Sequence, residues 1–231
     1  MKNKKAIVLL SGGLDSVIST ALLKDEMDIS LGITFDYGQK SFNAEALASK
    51  NIADFYKIHH QIIKLDFLKN ITKTSLVDIT QAIPTPNIEE DTINAMKSVW
   101  VPNRNGLFIN IAAAFCDSFD IDYIILGANK EEATTFLDNS HDFITNCNKT
   151  LQFSTLKKPE IVVPLIKMDK TEIVKKGKEL KVPFHLIMSC YNDNNGRHCG
   201  VCESCQRFKK ALKEARLYEV LGKIFDENQT A

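Results

Sequence analysis

The sequence predicts an α/β fold: a doubly wound, mainly parallel sheet with helices on both faces, followed by a small C-terminal helical region. Three observations predict it. Apolar runs of strand type alternate with segments of helical period as far as residue 126; such alternation implies parallel pairing with crossover helices on both sheet faces. The apolar run Ile7-Val8-Leu9-Leu10 ends abruptly in Ser11-Gly12-Gly13, and an apolar-periodic segment with Val17, Ile18, Ala21 and Leu22 follows at once. Four of the six cysteines crowd between Cys190 and Cys205, which sets the end of the chain apart. The expected division is a nucleotide-type domain over residues 1–165 and a helical cysteine region over residues 166–231.

The elements follow in order. Residues 6–10 are the first strand and 15–27 the first helix. Ser30-Leu31-Gly32-Ile33-Thr34-Phe35 reads as the second strand. Ala44, Leu47, Ala48, Ile52 and Phe55 repeat with a helical period over residues 42–56. Residues 59–65 are a third strand, 105–119 an apolar helix, and 122–126 a fourth strand closed by Gly127. Residues 72–101 break the pattern with Pro84, Pro86 and the acidic run Glu89-Glu90-Asp91; a loop of this length reads as a mobile flap over the crevice, with a passive surface insertion as the alternative. Residues 129–140 are polar with little periodicity and read as a loop. Residues 142–153 look helical, and 161–165 extended. Asp169, with Glu172 three residues on, caps a helix over residues 169–180. A final helix rich in Lys and Arg covers residues 203–221. In an open parallel sheet, ligands sit beyond the carboxyl ends of the strands. That gathers residues 11–16, 36–39 and 127–129 around one crevice.

Composition bounds the function. The chain has 231 residues, 44% hydrophobic and 25% charged, enough for a substantial core. Its 29 basic and 29 acidic residues balance, so no overall positive field argues for nucleic acid. The short apolar run after Met1-Lys2-Asn3-Lys4-Lys5 is expected to be the first strand rather than a signal peptide. No apolar stretch reaches membrane-spanning length. A cytoplasmic protein without membrane contact is expected, with the crowded cysteines serving a metal rather than disulfides.

The glycine turn calls for an anion. Adjacent glycines permit positive φ and close approach, and the turn feeds a helix N-terminus whose free N–H groups and dipole favour negative charge. Ser11 and Ser16 add hydroxyls. The loop lacks the Lys-Ser or Lys-Thr of the common triphosphatase loop and the third glycine of the dinucleotide fingerprint. Ser11-Gly12-Gly13-Leu14-Asp15-Ser16 instead resembles the PP-loop, S-G-G-x-D-S, of the N-type ATP pyrophosphatases, which cleave ATP between the α and β phosphates.

Cys190, Cys199, Cys202 and Cys205 form C-x8-C-x2-C-x2-C, with Gly200 allowing a tight turn. Four thiolates at these spacings fit tetrahedral, structural zinc. An iron–sulfur cluster, a redox pair, or His198 in place of one thiolate are the alternatives. Cys116 reads as core, and Cys147 receives no role.

Loop and cysteines together resemble the 7-cyano-7-deazaguanine synthase family of the queuosine pathway, over nearly the whole chain. Thr34-Phe35-Asp36-Tyr37-Gly38-Gln39 resembles the family's T-x-x-Y-x-Q. Val101-Pro102-Asn103-Arg104-Asn105 resembles its V-P-x-R-N, and the segment from Pro164 to Ile173 resembles its P-L-x-x-x-x-K-x-E-I. Where many members carry Y-S-G-Y-P-D-C-R, this chain has Ala133-Thr134-Thr135-Phe136-Leu137-Asp138-Asn139-Ser140. The resemblance implies 7-carboxy-7-deazaguanine, ammonia and ATP as substrates, with Mg²⁺ and structural zinc. It implies nucleotide binding by Leu10, Ser11, Gly12, Gly13, Leu14, Asp15, Ser16, Val17, Ile18, Ser19 and Thr20, with Tyr37, Gln39 and Gly127. Asp15, Ser16, Lys170 and Arg104 are the expected catalytic set: Asp15 for Mg²⁺ or as helix cap, Lys170 for the phosphates, Arg104 for the substrate carboxylate. A homodimer is left open. The rival readings are another PP-loop enzyme acting on tRNA, or a zinc-dependent binding module supported by Lys209, Lys210, Lys213 and Arg216.

Overall fold

The computed structural model describes residues 4–85, 97–192 and 195–225. Five strands run β1 (Lys5–Leu9), β2 (Asp28–Asp36), β3 (His59–Lys64), β4 (Tyr123–Ile125) and β5 (Glu160–Val162). They form one sheet of order β3-β2-β1-β4-β5, and every neighbouring pair is parallel. β1 is central, and Ala6, Ile7 and Val8 are fully buried, as a strand covered by helices on both faces requires. The edge strand β3 is polar and largely exposed, with His59, Gln61 and Lys64 outward, which blunts a free sheet edge.

The helices are α1 (Leu14–Leu23), α2 (Phe42–Tyr56), α3 (Asp66–Ile71), α4 (Arg104–Phe119), α5 (Lys130–Thr135), α6 (His141–Ser154), α7 (Lys170–Glu179), α8 (Glu203–Glu214) and α9 (Tyr218–Ile224). One buried apolar cluster runs from Ala6 to Phe225. No helix among the described residues is long and apolar enough to cross a membrane.

The strand order reverses at β1, where β2 leads one way and β4 the other. Val8 stands opposite both Gly32 of β2 and Ile125 of β4. The carboxyl ends of these three strands therefore come level, and a crevice opens beyond them.

Several boundaries differ from the sequence expectation. α1 stops at Leu23 rather than residue 27, because the N–H groups of Glu26 and Met27 both turn back to the Leu23 carbonyl. Residues 129–140 are not a plain loop. Asn129 Oδ1 accepts the N–H groups of Glu131 and Glu132, each at 3.0 Å, and caps α5. The short α3 is an addition; six residues are too few to show a period. β5 ends at Val162, before Pro164, which has no N–H to offer a ladder. The expected final helix is two, because Arg216 takes a left-handed φ of 56° between α8 and α9. The Asp169–Glu172 capping box of α7 is present with both of its bonds.

The expected flap meets the crevice with its two ends. Ser75 donates through N and Oγ to the Ser98 carbonyl at 2.9 and 2.7 Å. Thr74 Oγ1 donates to the Trp100 carbonyl at 2.9 Å, and the Trp100 ring lies parallel to Phe136 with centroids 6.4 Å apart. Pro86 and the acidic run lie outside the described residues.

Candidate active site

A cavity of about 230 Å³ lies beyond the carboxyl ends of β1, β2 and β4. Leu10, Ser11, Gly13, Leu14, Asp15 and Ser16 form its floor, and Tyr37, Gln39, Arg104, Gly127 and Lys170 enter from other elements. These are most of the residues singled out in the sequence, brought together from five segments.

The loop depends on two glycines. Gly12 has φ +75°, and a Cβ there would stand 2.8 Å from the Ser49 backbone nitrogen. A Cβ on Gly127 would stand 2.6 Å from the Ser16 nitrogen. The end of β4 thus presses against the start of α1 without a side chain between them. Gly12 itself faces α2 and does not line the cavity. Val17, Ile18, Ser19 and Thr20, expected with the nucleotide-binding set, are fully buried along α1 and do not line it either. Thr20 Oγ1 donates to the Ser16 carbonyl at 2.7 Å, and Ile18 packs toward Gly177 of α7. Their role is to seat the helix whose N-terminus forms the floor.

Gly13 is the N-cap of α1. Asp15 therefore does not cap the helix, and its side chain is free for other work. Asp15 Oδ2 accepts from Lys170 Nζ at 2.5 Å and from Asn129 Nδ2 at 3.2 Å. Lys170 Nζ also reaches Glu132 Oε1 at 3.0 Å. Burial drives the Asp15 carboxyl up to about 6, against the pull of the Lys170 ammonium. Burial works the same way on Glu132, but there Lys170 wins and holds the carboxyl below its usual range. Burial opposes the Lys170 charge too, and the two carboxylates more than offset it. Asp15 Oδ1 is buried and has no hydrogen-bond partner among the described residues. An orphaned carboxylate oxygen beside a phosphate-type loop suits a hard divalent cation.

The sequence expectation places Asn129 at the crevice without a role of its own, and Glu132 is not among the expected site residues. The signal was present: Asn129-Lys130-Glu131-Glu132 has the N-x-x-E spacing of a capped helix start, and that start turns Glu132 toward Lys170.

Arg104 lines the cavity on the far side. Its guanidinium donates to the Tyr37 hydroxyl at 3.2 Å and lies 5.8 Å from the centre of that ring. Asn105 beside it is held by the Asp138 carbonyl at 3.2 Å and by Asn139 Oδ1 at 3.1 Å. Gln39 Nε2 and Ser41 Oγ both donate to Glu45, at 3.0 and 2.6 Å; burial raises this carboxyl. Phe35 and Phe108 stack with centroids 4.0 Å apart, and Phe136 closes another side. The cavity thus joins a glycine loop and a helix N-terminus at its floor to flat apolar walls and the Arg104 guanidinium.

The cysteines form a second centre against this cavity. The sulfurs of Cys190, Cys199, Cys202 and Cys205 lie within 4.8 Å of one another. Cys190–Cys202 and Cys199–Cys205 are each 4.0 Å apart, far beyond the ~2.05 Å of a disulfide. A tetrahedral ion with bonds of ~2.3 Å spaces its thiolates by about 3.8 Å, so the donor set fits a metal ion. Backbone N–H groups of Asn192 and Cys199 donate to Cys190 Sγ, and that of Cys202 to Cys199 Sγ, each at 3.3 Å. These bonds favour the thiolate form a metal needs. His198 is not a ligand: its Nε2 accepts the Ser189 N–H at 3.1 Å, and its ring packs against Phe208 and Phe225. Lys210 lies 4.0 Å from Glu214, Lys209 sits 5.0 Å from the Phe225 ring, and Arg216 falls beyond α8.

Fold and site together define a class: the α/β proteins that bind a phosphorylated nucleotide on a PP-loop at the switch point of a parallel sheet, here with a four-cysteine lobe at its rim. Comparison with known proteins narrows it. The chain belongs to the family described as "Queuosine biosynthesis protein QueC", whose profile matches residues 5–216. The 7-cyano-7-deazaguanine synthase of Carboxydothermus hydrogenoformans is 50% identical over 212 residues, covering 90% of this chain and 98% of that one. The protein of the same name from Pelotomaculum thermopropionicum is 47% identical over 218 residues, with 92% and 98% covered. That of Methanosarcina barkeri is 42% identical over 225 residues, with 94% and 97% covered.

Proposed function

We propose that the chain converts 7-carboxy-7-deazaguanine and ammonia to 7-cyano-7-deazaguanine in the cytoplasm, driven by ATP. The observation that carries this reading is near full-length identity with synthases of that name, together with an intact Ser-Gly-Gly-Leu-Asp-Ser loop on the floor of the cavity.

The chemistry needs two activations. A carboxylate is a poor electrophile because oxide does not leave. Its oxygen attacks the α-phosphorus of ATP, pyrophosphate departs, and ammonia then displaces AMP to give the amide. The amide oxygen attacks a second ATP. Loss of AMP and of the nitrogen-bound protons leaves the nitrile. The protein's part is to align the reactants and to meet phosphate charge with fixed groups.

The N-terminus of α1, with the hydroxyls of Ser11 and Ser16, would receive the polyphosphate. Lys170, parked between Asp15 and Glu132, is the one ammonium lining the cavity among the described residues and would follow the phosphate charge. Asp15 would hold Mg²⁺, which supplies charge neutralisation on the phosphates. The stacked rings of Phe35 and Phe108 offer a wall for a flat heterocycle. Arg104 would grip the 7-carboxylate with two parallel bonds, a geometry suited to a guanidinium. Cys190, Cys199, Cys202 and Cys205 would hold zinc as a closed structural site. In this reading residues 1–165 form the nucleotide domain, and residues 166–231 bring Lys170 and the cysteine lobe to it.

Incubation with ATP alone, with ATP and 7-carboxy-7-deazaguanine, and with ammonium added tests the reaction type. The expected result is substrate-dependent release of AMP and pyrophosphate. Release of ADP and phosphate would refute it.

A further inference from the structure

The cysteine lobe does more than flank the cavity: one of its residues touches the phosphate loop. Ser189, next to Cys190, accepts the Leu14 N–H on its Oγ at 3.0 Å. Leu14 is the first residue of α1, so this N–H is one of the donors an anion at the helix N-terminus would otherwise meet. Ser189 is held there from three sides. The Met188 N–H donates to the Gly12 carbonyl at 2.9 Å, the Ser189 N–H donates to His198 Nε2 at 3.1 Å, and Cys190 belongs to the four-sulfur cluster.

A hydroxyl has one proton to give besides the bonds it accepts. Among the described residues, nothing accepts the proton of Ser189 Oγ, and Ser189 lines the cavity. Its place is beside the loop hydroxyls. A Cβ built on Gly13 would lie 3.2 Å from Ser11 Oγ and 3.6 Å from Ser189 Oγ. The two hydroxyls thus flank the same point of the loop, and Ser11 Oγ is in turn 3.2 Å from Ser16 Oγ.

We propose that Ser189 is a phosphate-contacting residue: its hydroxyl takes the Leu14 N–H and donates its own proton to an oxygen of the bound polyphosphate. The helix N-terminus then reaches the anion through a hydroxyl relay supplied by the cysteine lobe. The other role for the same contact is competition, in which Ser189 occupies the Leu14 N–H and keeps it from phosphate. The two predict opposite signs for the same substitution. The inference rests on the nucleotide reading of the cavity.

Calorimetric titration of the full chain with ATP, pyrophosphate and adenosine tests it, with metal content and Tm measured alongside. Ser189→Ala is expected to weaken ATP and pyrophosphate about tenfold or more, the scale of a bond to a charged group. Adenosine binding should stay as it is, and Ser189→Thr should restore the loss. Ser189→Asp keeps an acceptor for the Leu14 N–H but cannot donate, and it brings a like charge. It is expected to lose more polyphosphate affinity than Ser189→Ala while holding its metal, and it serves where the alanine variant does not fold. Unchanged or tighter ATP binding by Ser189→Ala overturns the proposal, as does an equal loss for adenosine. Wild-type protein that binds neither ATP nor pyrophosphate would instead overturn the functional reading itself.

Discussion

Removing Lys170 probes the charge balance on which the site rests. In Lys170→Ala the Asp15 and Glu132 carboxylates lose a partner at 2.5 and 3.0 Å, in a place where the Lys170 and Asp15 side chains are only 12% exposed. With Lys170 present, the Asp15 carboxyl already sits at about 6 rather than 3.8. The folded state therefore binds its proton more tightly than the unfolded state, and stability falls as pH rises between those two values. The full cost, about 3 kcal/mol at ~1.4 kcal/mol per unit, is in place above pH ~6 and grows no further. Without the ammonium, which pulls it down, the carboxyl rises further, so the fall continues above pH ~6. Relative to wild type, Asp15 alone then costs up to about 1.4 kcal/mol for each pH unit above ~6 until it ionises. Urea unfolding on both sides of pH ~6 reads this directly. The variant should keep losing about 1.4 kcal/mol per unit where wild type has levelled off. Adding Asp15→Asn to Lys170→Ala should remove the Asp15 share of the fall and leave only that of Glu132, which burial also pushes up. Parallel profiles for wild type and Lys170→Ala above pH ~6 would refute the reasoning.

Three further outcomes follow from the geometry. Gly127→Ala sets a methyl 2.6 Å from backbone at the start of α1; it should lower Tm and weaken ATP binding, by roughly 1–3 kcal/mol of overpacking strain, as thermal unfolding and calorimetry would measure. Cys202→Ser removes one of four ligands, so purified protein should fall from about one zinc per chain to little or none, with loss of stability; elemental analysis checks this, and an iron–sulfur absorption band in wild type would contradict the zinc reading. Arg104→Lys should weaken use of 7-carboxy-7-deazaguanine by on the order of 1.5–3 kcal/mol while ATP binding without substrate stays nearly constant; a loss of ATP affinity with substrate affinity kept would make Arg104 a phosphate ligand.

Much of this was legible in the sequence because its signals are local. A run such as Ile7-Val8-Leu9-Leu10 followed by Ser-Gly-Gly carries its own periodicity and turn chemistry, and α2 matches its expected span, Phe42–Tyr56. Gly127 marked the end of β4, and Asp169 with Glu172 announced a capping box that is present. What escaped depends on tertiary contact. Nothing along the chain says that Glu132 and Asp15 share one ammonium, that Ser189 reaches back to Leu14, or that His198 turns from the cysteines to a backbone N–H. Val17, Ile18, Ser19 and Thr20, expected with the nucleotide-binding set, are buried along α1 and do not line the cavity; no local signal marks where the loop gives way to the core. The break after α8 escaped because Arg216 carries no sequence mark of the left-handed conformation it adopts.

The most direct test of the proposed reaction is mass spectrometry of products formed from 7-carboxy-7-deazaguanine, ATP and isotopically labelled ammonium. The expected product is the nitrile, carrying one labelled nitrogen, with two AMP and two pyrophosphate released for each nitrile formed, and the amide as the transient species before it. An amide that accumulates with one AMP and goes no further would contradict the second activation. Unchanged substrate beside hydrolysed ATP would contradict the account as a whole.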